Sequence, residues 1–148
     1  MKNVLIVAVA EQRLAVELRW VREIFTLGAI TPVPTAPPVI AGVVNWKGAI
    51  VAVLHGRRML APPGVTLGSR ARGPQTGDAL VLVDVDGTRA AIAVDRIDAV
   101  TTLAQGEGGL TDGDGAIVPL VDPPSLVAAA RQLVEGTKDV DGGHGARS

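Results

Sequence analysis

Apolar positions along this chain form two kinds of pattern, and their order outlines a fold. Val4 to Val9 (VLIVAV) is an unbroken apolar run, as expected of a strand covered on both faces. After Glu11-Gln12 the pattern alternates, with Leu14, Val16 and Leu18 apolar and Arg13 and Glu17 charged, so the two stretches predict a hairpin. Val21 and Ile24 follow Leu18 at intervals of three, which predicts a brief amphipathic turn. Pro32, Pro34, Pro37 and Pro38 exclude a regular central strand or a long helix from the next region. An extended stretch and then one helical turn, opened by the proline pair, fits instead.

Val43-Val44-Asn45 enters a turn at Asn45-Trp46-Lys47-Gly48, and Ala49 to Leu54 is a further strand. Residues 61–77 carry Pro, Gly, Ser and Arg with little periodicity and predict a surface loop. Ala79 to Val85 and Thr88 to Val94 predict a second hairpin around Asp86-Gly87, a dipeptide suited to positive φ. Asp114-Gly115 precedes a strand over Ala116 to Val121. Ser125 then caps a predicted helix over 125–135, with Leu126, Ala130, Leu133 and Val134 on one face. Residues 136–148 (GTKDVDGGHGARS) have the composition of a disordered tail.

The chain repeats itself. Val4–Ile24 aligns on Leu80–Val100 without a gap, setting Val7 on Val83, Val16 on Ile92 and Val21 on Ile97. Gly48–Leu60 aligns on Gly115–Val127 in the same way. The expectation is one domain over 1–135 made of two related β-lobes, about 4–60 and 79–127, with strands open to exchange and each lobe curling into a small barrel. Between the matched blocks the second half (101–114) is nine residues shorter than the first (25–47), and no clear equivalent of Val43–Asn45 is visible. The second barrel is therefore expected to be incomplete, with an edge near Ala116–Val121 left open, covered by the helix or paired with another molecule.

Composition removes several classes of function. There is no cysteine, which excludes disulfides, thiolate metal sites and cysteine nucleophiles. A net charge of −1 without a basic block argues against nucleic acid as a partner. The apolar start is too short to span a membrane and has no cleavage-like region, so a cytoplasmic location is expected. The two histidines are His55, after a strand, and His144, in the glycine-rich tail; neither has a motif partner for nucleophilic or metal chemistry. Asp112-Gly-Asp114-Gly begins like a calcium loop but lacks the closing glutamate, so a turn is the better reading. Pro37-Pro38 reads as a connector before it reads as a polyproline ligand. No catalytic residue, cofactor or metal is expected. The rival from another class is a small β-barrel enzyme using Asp84, Asp95 or His55.

Pro32–Leu54 (PVPTAPPVIAGVVNWKGAIVAVL) resembles the most recognisable stretch of the CheW-like coupling proteins: a proline-rich link, a Gly-Val-Ile-Asn strand, an Asn-x-Arg-Gly turn and an Ile-Val-Pro-Val strand. Leu18–Ile24 looks like the family's Val-x-Glu-Ile step, Ala79–Val100 like its second hairpin, and Ala116–Leu126 like its closing strand. The resemblance implies a mainly β fold of two small intertwined SH3-like barrels with a C-terminal helix. It implies a non-catalytic adaptor linking a chemoreceptor's cytoplasmic tip to the regulatory domain of a CheA-type histidine kinase, in chemotaxis or motility signalling. Carried over by position, Leu18, Val21, Glu23, Ile24, Asn45, Lys47 and Gly48 fall on the receptor-contact surface. Three departures stand out: Lys47 replaces the turn's arginine and cannot form its bidentate fork, Trp46 replaces a small aliphatic residue, and His55-Gly56 stands where Asp-Leu is usual. Such departures resemble a divergent branch, of the kind found in the frizzy gliding-motility pathway, and the shortened second half implies weakened or lost kinase binding.

Overall fold

The computed structural model describes residues 1–60, 73–106 and 109–141, with side chains described as far as residue 132. In chain order the elements are β1 (Lys2–Val9), β2 (Gln12–Glu17), a 3-10 turn (Leu18–Trp20), β3 (Val21–Thr26), β4 (Ile40–Trp46), β5 (Ala49–His55), α1 (Gly56–Leu60), β6 (Ala79–Val85), β7 (Thr88–Val94), β8 (Arg96–Gly106), β9 (Gly109–Thr111), β10 (Ile117–Val118) and α2 (Pro123–Asp141). The strands form two five-stranded sheets, β10-β9-β8-β1-β2 and β3-β6-β7-β5-β4. The fold is mainly β with a C-terminal helix, as the sequence predicts.

Each sheet closes on itself. In the first, the Ala15 N–H donates to the Pro119 carbonyl at 2.9 Å and the Val121 N–H to the Ala15 carbonyl at 2.8 Å, joining β2 to the chain just beyond β10. In the second, Thr31 and Val43 exchange both backbone bonds at 2.9 Å, laying the segment after β3 against β4. The result is a middle barrel of β3–β7 and a terminal barrel of β1, β2 and β8–β10. Neither is built from one half of the sequence. The first hairpin sits in the second half's barrel, and the second hairpin in the first half's.

The ladders follow the repeat residue by residue. Val7↔Leu14 in the first hairpin is matched by Val83↔Ala90 in the second. Both hairpins turn through two residues of positive φ, Ala10 and Glu11 in one, Asp86 and Gly87 in the other. Alanine and glutamate are poor at such positions. The Asp95 carboxylate supports the first turn by accepting the Ala10 N–H at 2.9 Å. The crossed pairings are reciprocal too: Val21↔Val83 and Ile24↔Val81 correspond to Ile97↔Val7 and Val100↔Leu5. The parallel pair Val53↔Ala91 likewise corresponds to Leu120↔Ala15.

Three apolar clusters result. Val4, Ile6, Ala15, Leu103, Leu110 and Val118 fill the terminal barrel. Leu27, Val44, Trp46, Val51, Val53, Leu80, Leu82, Ala91 and Ala93 fill the middle one. Between them lies a central layer including Leu5, Val7, Val9, Leu14, Val16, Leu54, Val81, Val83 and Ile92, which Val127 and Ala130 of α2 join. One face of each hairpin enters a barrel and the other enters this layer, so the hairpin strands read as unbroken apolar runs.

Four sequence expectations change. The Leu18, Val21, Ile24 spacing does not continue as a helical turn, because Val21–Thr26 is a strand. The ladder shifts between Val21 and Glu23, leaving Arg22 as an extra residue. A bulge puts residues three apart on one face and imitates helical spacing. The strand thought missing from the second half is present as β9, paired with both β8 and β10. It belongs to the same ungapped repeat, Gly42-Val43-Val44-Asn45 on Gly109-Leu110-Thr111-Asp112. The nine missing residues are thus the proline excursion, and the second barrel is abbreviated, with strands of three and two residues. Consequently the Ala116–Val121 edge is paired within the chain, to β9 and β2.

The last change concerns α2. It begins at Pro123, with the Ser125 hydroxyl donating to Asp122 at 2.7 Å, so Asp122 rather than Ser125 occupies the cap, followed by proline at the favoured first position. It also runs to Asp141, past the expected end at 135. The loop expectation for 61–77 and the tail expectation for 136–148 fall partly outside the described residues, as does His144.

Gly42 and Gly109 show why the repeat keeps glycine. A Cβ on Gly42 would lie 2.5 Å from the Thr31 carbonyl oxygen, and one on Gly109 3.0 Å from that of Val118. Gly42 lets a neighbouring backbone approach where the middle barrel closes, and Gly109 where β9 meets β10.

Candidate functional site

The turn after β4 is built from its own side chains. Lys47 and Gly48 have φ of 50° and 85°, and the Asn45 side-chain oxygen accepts the Gly48 N–H at 3.0 Å. Trp46, 8% exposed, turns into the middle barrel. Its indole N–H emerges at the barrel end and donates to Glu23 Oε2, while Lys47 Nζ lies 3.2 Å from Glu23 Oε1. The Lys47 ammonium and the Arg89 guanidinium stand 5.1 and 5.2 Å from the Trp46 ring centre. Arg89 is in turn held by Asp84 at 3.1 Å. Of the residues carried over by position, Glu23, Asn45, Lys47 and Gly48 are therefore brought together. Trp46, Arg89 and Asp84 belong with them and were not foreseen as a group, since only the fold sets residues 23, 46 and 89 side by side.

The Trp46 indole, then the Lys47 ammonium, hold the Glu23 carboxyl below its ordinary value of 4.5. Because the folded value is the depressed one, the stabilisation is present above 4.5 and is lost as pH falls through the folded value. The Trp46 indole N–H resonance should therefore shift and broaden only in acid, below about pH 4.5. An indole signal unchanged down to pH 2 would contradict the Glu23 contact.

Leu18, Val21 and Ile24 sit elsewhere on the same barrel. Leu18 and Val21 are half-buried against the central layer. Ile24 is 42% exposed. Residues directly opposed in an antiparallel ladder share a face, and Ile24 opposes Val81, so it lies on the face that elsewhere forms the central layer. Its repeat equivalent Val100, opposed to Leu5, is 62% exposed. Ile50 and its equivalent Ile117 are 71% and 59% exposed. Each barrel thus extends an apolar face beyond the layer it shares with the other.

The acid groups of the enzyme reading are accounted for differently. Asp84 pairs with Arg89 and accepts the Gly87 N–H at 2.9 Å; Arg89, then that N–H, hold its carboxyl below the usual range. Asp95 takes Arg57 Nε at 2.9 Å on one oxygen and the Ala10 N–H on the other. His55, 5% exposed, shares with Asp95, Arg57 and Asp78 a crevice of about 10 Å³, room for one water. A wider cleft of about 480 Å³ beside His55 and Arg58 has no carboxylate in its described lining. Asp112 accepts the N–H groups of Asp114 and Ala116 and faces Arg13 at 3.5 Å, so the calcium-like motif is a turn. Among the described residues no cluster of three His, Asp or Glu could hold a metal, and no helix is long and apolar enough to cross a membrane.

Two barrels with exchanged hairpins, a shared apolar layer and exposed apolar faces on both define a double-barrel β domain. The family model of the CheW-like domain matches residues 3–107, from β1 through β8, and the chain belongs to that family. A scaffolding protein, TtCheW from Thermoanaerobacter tengcongensis, shares its fold, with a TM-score of 0.57 and 24% identity over 68% of this chain. The aligned region spans 64% of that protein's chain. No curated protein matches the sequence.

Proposed function

We propose that this protein is a non-catalytic cytoplasmic adaptor coupling a chemoreceptor tip to the regulatory domain of a CheA-type histidine kinase. Membership of the CheW-like family is the observation that carries the reading, and the solved structure it resembles is that of a scaffolding protein. The exposed faces support it. On the middle barrel the receptor side takes in exposed Ile24 on β3 and Ile50 on β5 opposite Asn45, together with the cluster of Glu23, Asn45, Lys47 and Gly48, while Leu18 and Val21 pack against the central layer. Val100, Ile117 and Leu120 on the terminal barrel form the kinase side. With β9 in place and the edge paired, we infer that the kinase contact is retained in reduced form. A contact of ordinary size buries about 800 Å² per partner, and micromolar affinity corresponds to about −8 kcal/mol.

Titration calorimetry with an isolated receptor tip and an isolated kinase regulatory domain tests the assignment. Ile24→Asp should weaken receptor binding by about 1–2 kcal/mol and spare the kinase, and Val100→Asp should do the reverse. Both positions are exposed, so both variants should keep the melting temperature of the parent. Binding of neither partner by the unmodified protein would overturn the adaptor reading. Equal loss of both partners in either variant would overturn the division of surfaces.

A further inference from the structure

We propose that Trp46 and Lys47 act on Glu23 as a divided arginine fork, and that the indole, not the ammonium alone, holds the Asn45–Gly48 turn against β3. A carboxylate has two oxygens. An arginine satisfies both with parallel N–H groups, whereas a lysine ammonium is a single point on a flexible stem. Here the two oxygens are served by different residues, Oε1 by Lys47 and Oε2 by the Trp46 indole N–H. The indole suits this task because it is fixed. Its ring is buried in the middle barrel's cluster with Val44, Val51 and Val53, and its face is flanked by Lys47 and by Arg89, itself anchored on Asp84. The exposed Lys47 stem has more rotamer freedom to lose in making its contact than the buried Trp46 ring.

The terminal barrel provides an internal comparison. At the positions equivalent to Glu23, Trp46 and Lys47 it has Ala99, Gly113 and Asp114, and its turn relies on Asp112, the equivalent of Asn45, whose carboxylate accepts two backbone N–H groups. The divided fork therefore belongs to the middle barrel alone, beside the face assigned above to the receptor. Only that last placement rests on the adaptor reading; the geometry of the turn does not.

The test reads the turn itself, in the intact protein without a partner. Trp46→Phe keeps a ring in the core and removes the N–H. Carbon-detected NMR should then place the Glu23 carboxyl closer to its ordinary value, and the Gly48 amide should exchange with solvent about tenfold faster, the change expected for loss of one hydrogen bond. Adding Lys47→Arg to Trp46→Phe should restore both quantities, because the guanidinium supplies two donors from one side chain. Lys47→Arg alone should change little, since Oε2 is already occupied. A Trp46→Phe protein with unchanged Glu23 and Gly48 would overturn the proposal. So would failure of Lys47→Arg to restore them, which would make the indole a packing group only. If Trp46→Phe does not fold, Glu23→Ala leaves the core intact, removes the acceptor of the indole N–H and should speed Gly48 exchange; no change there would overturn it. Failure of receptor binding would leave these readouts unaffected, so the two claims fail separately.

Discussion

Gly56→Ala should cost about 3 kcal/mol and lower the melting midpoint by roughly 10 °C. A Cβ at 56 would lie 1.9 Å from the Ala93 carbonyl oxygen and 3.1 Å from its carbon. That oxygen is main chain in β7, a strand paired on one side with β6 and on the other with β5, so no side-chain rotation relieves the clash. Either α1 must lift off the barrel end or the β5–β7 ladder must part, and each exposes apolar groups now covered. For a domain whose total stability is of the order of 5–15 kcal/mol, this is a large fraction. Thermal melts followed by far-UV circular dichroism would measure it. A variant within 1 kcal/mol of the parent would show that the close approach of Gly56 to β7 is wrong.

Leu5→Ala should destabilise both barrels together, by about 3 kcal/mol. Leu5 is fully buried, and although β1 belongs to the terminal barrel, its side chain packs in the central layer with Val81 and Val83 of the middle barrel's hairpin. A cavity there weakens the layer the two barrels share. In a Trp20→Phe background the remaining tryptophan, Trp46, reports on the middle barrel alone. Its fluorescence transition in urea should move to lower denaturant in step with circular dichroism. If Trp46 unfolds at the parental midpoint while circular dichroism shifts, the barrels are energetically independent, and exchanged hairpins do not make them one cooperative unit.

Several elements were legible because their cause is local. The run VLIVAV announces a strand covered on both faces, and it is one, with Val4 to Val9 almost without exposure. The hairpins follow from the same reasoning, and the repeat between them extends to matched ladders and matched bulges. The Asn45–Gly48 turn is written in its residues, because an Asn side chain followed by glycine at positive φ closes on itself. Reading Val21 and Ile24 as helical failed because a strand bulge and a helix both place residues three apart on one face. β9 is hidden in the sequence because its three residues carry too little pattern apart from the neighbours that pair with it. The one sequence trace of β9 is that the Gly48 match continues six residues upstream, setting Gly42 on Gly109.

The two hairpins, the β5 strand, the repeat and the family resemblance are fixed locally, since periodicity, turn chemistry and motif spacing need no knowledge of the rest of the chain. Which barrel each hairpin joins depends on contacts made only in the assembled fold. An apolar strand face specifies that it is buried but not by what, and the two hairpins, alike in pattern and register, fit either barrel by local criteria. Exchange becomes favourable when the whole chain is assembled, because it lets both hairpins place one face in a barrel and the other in a common layer. The same holds for the candidate site. Glu23, the Trp46-Lys47 pair and Arg89 are separate in sequence, and nothing local to any of them indicates a shared carboxylate. They meet because β3 and the β4–β5 turn are brought to one end of the same closed barrel, where a buried indole and a surface ammonium reach the two oxygens of one side chain.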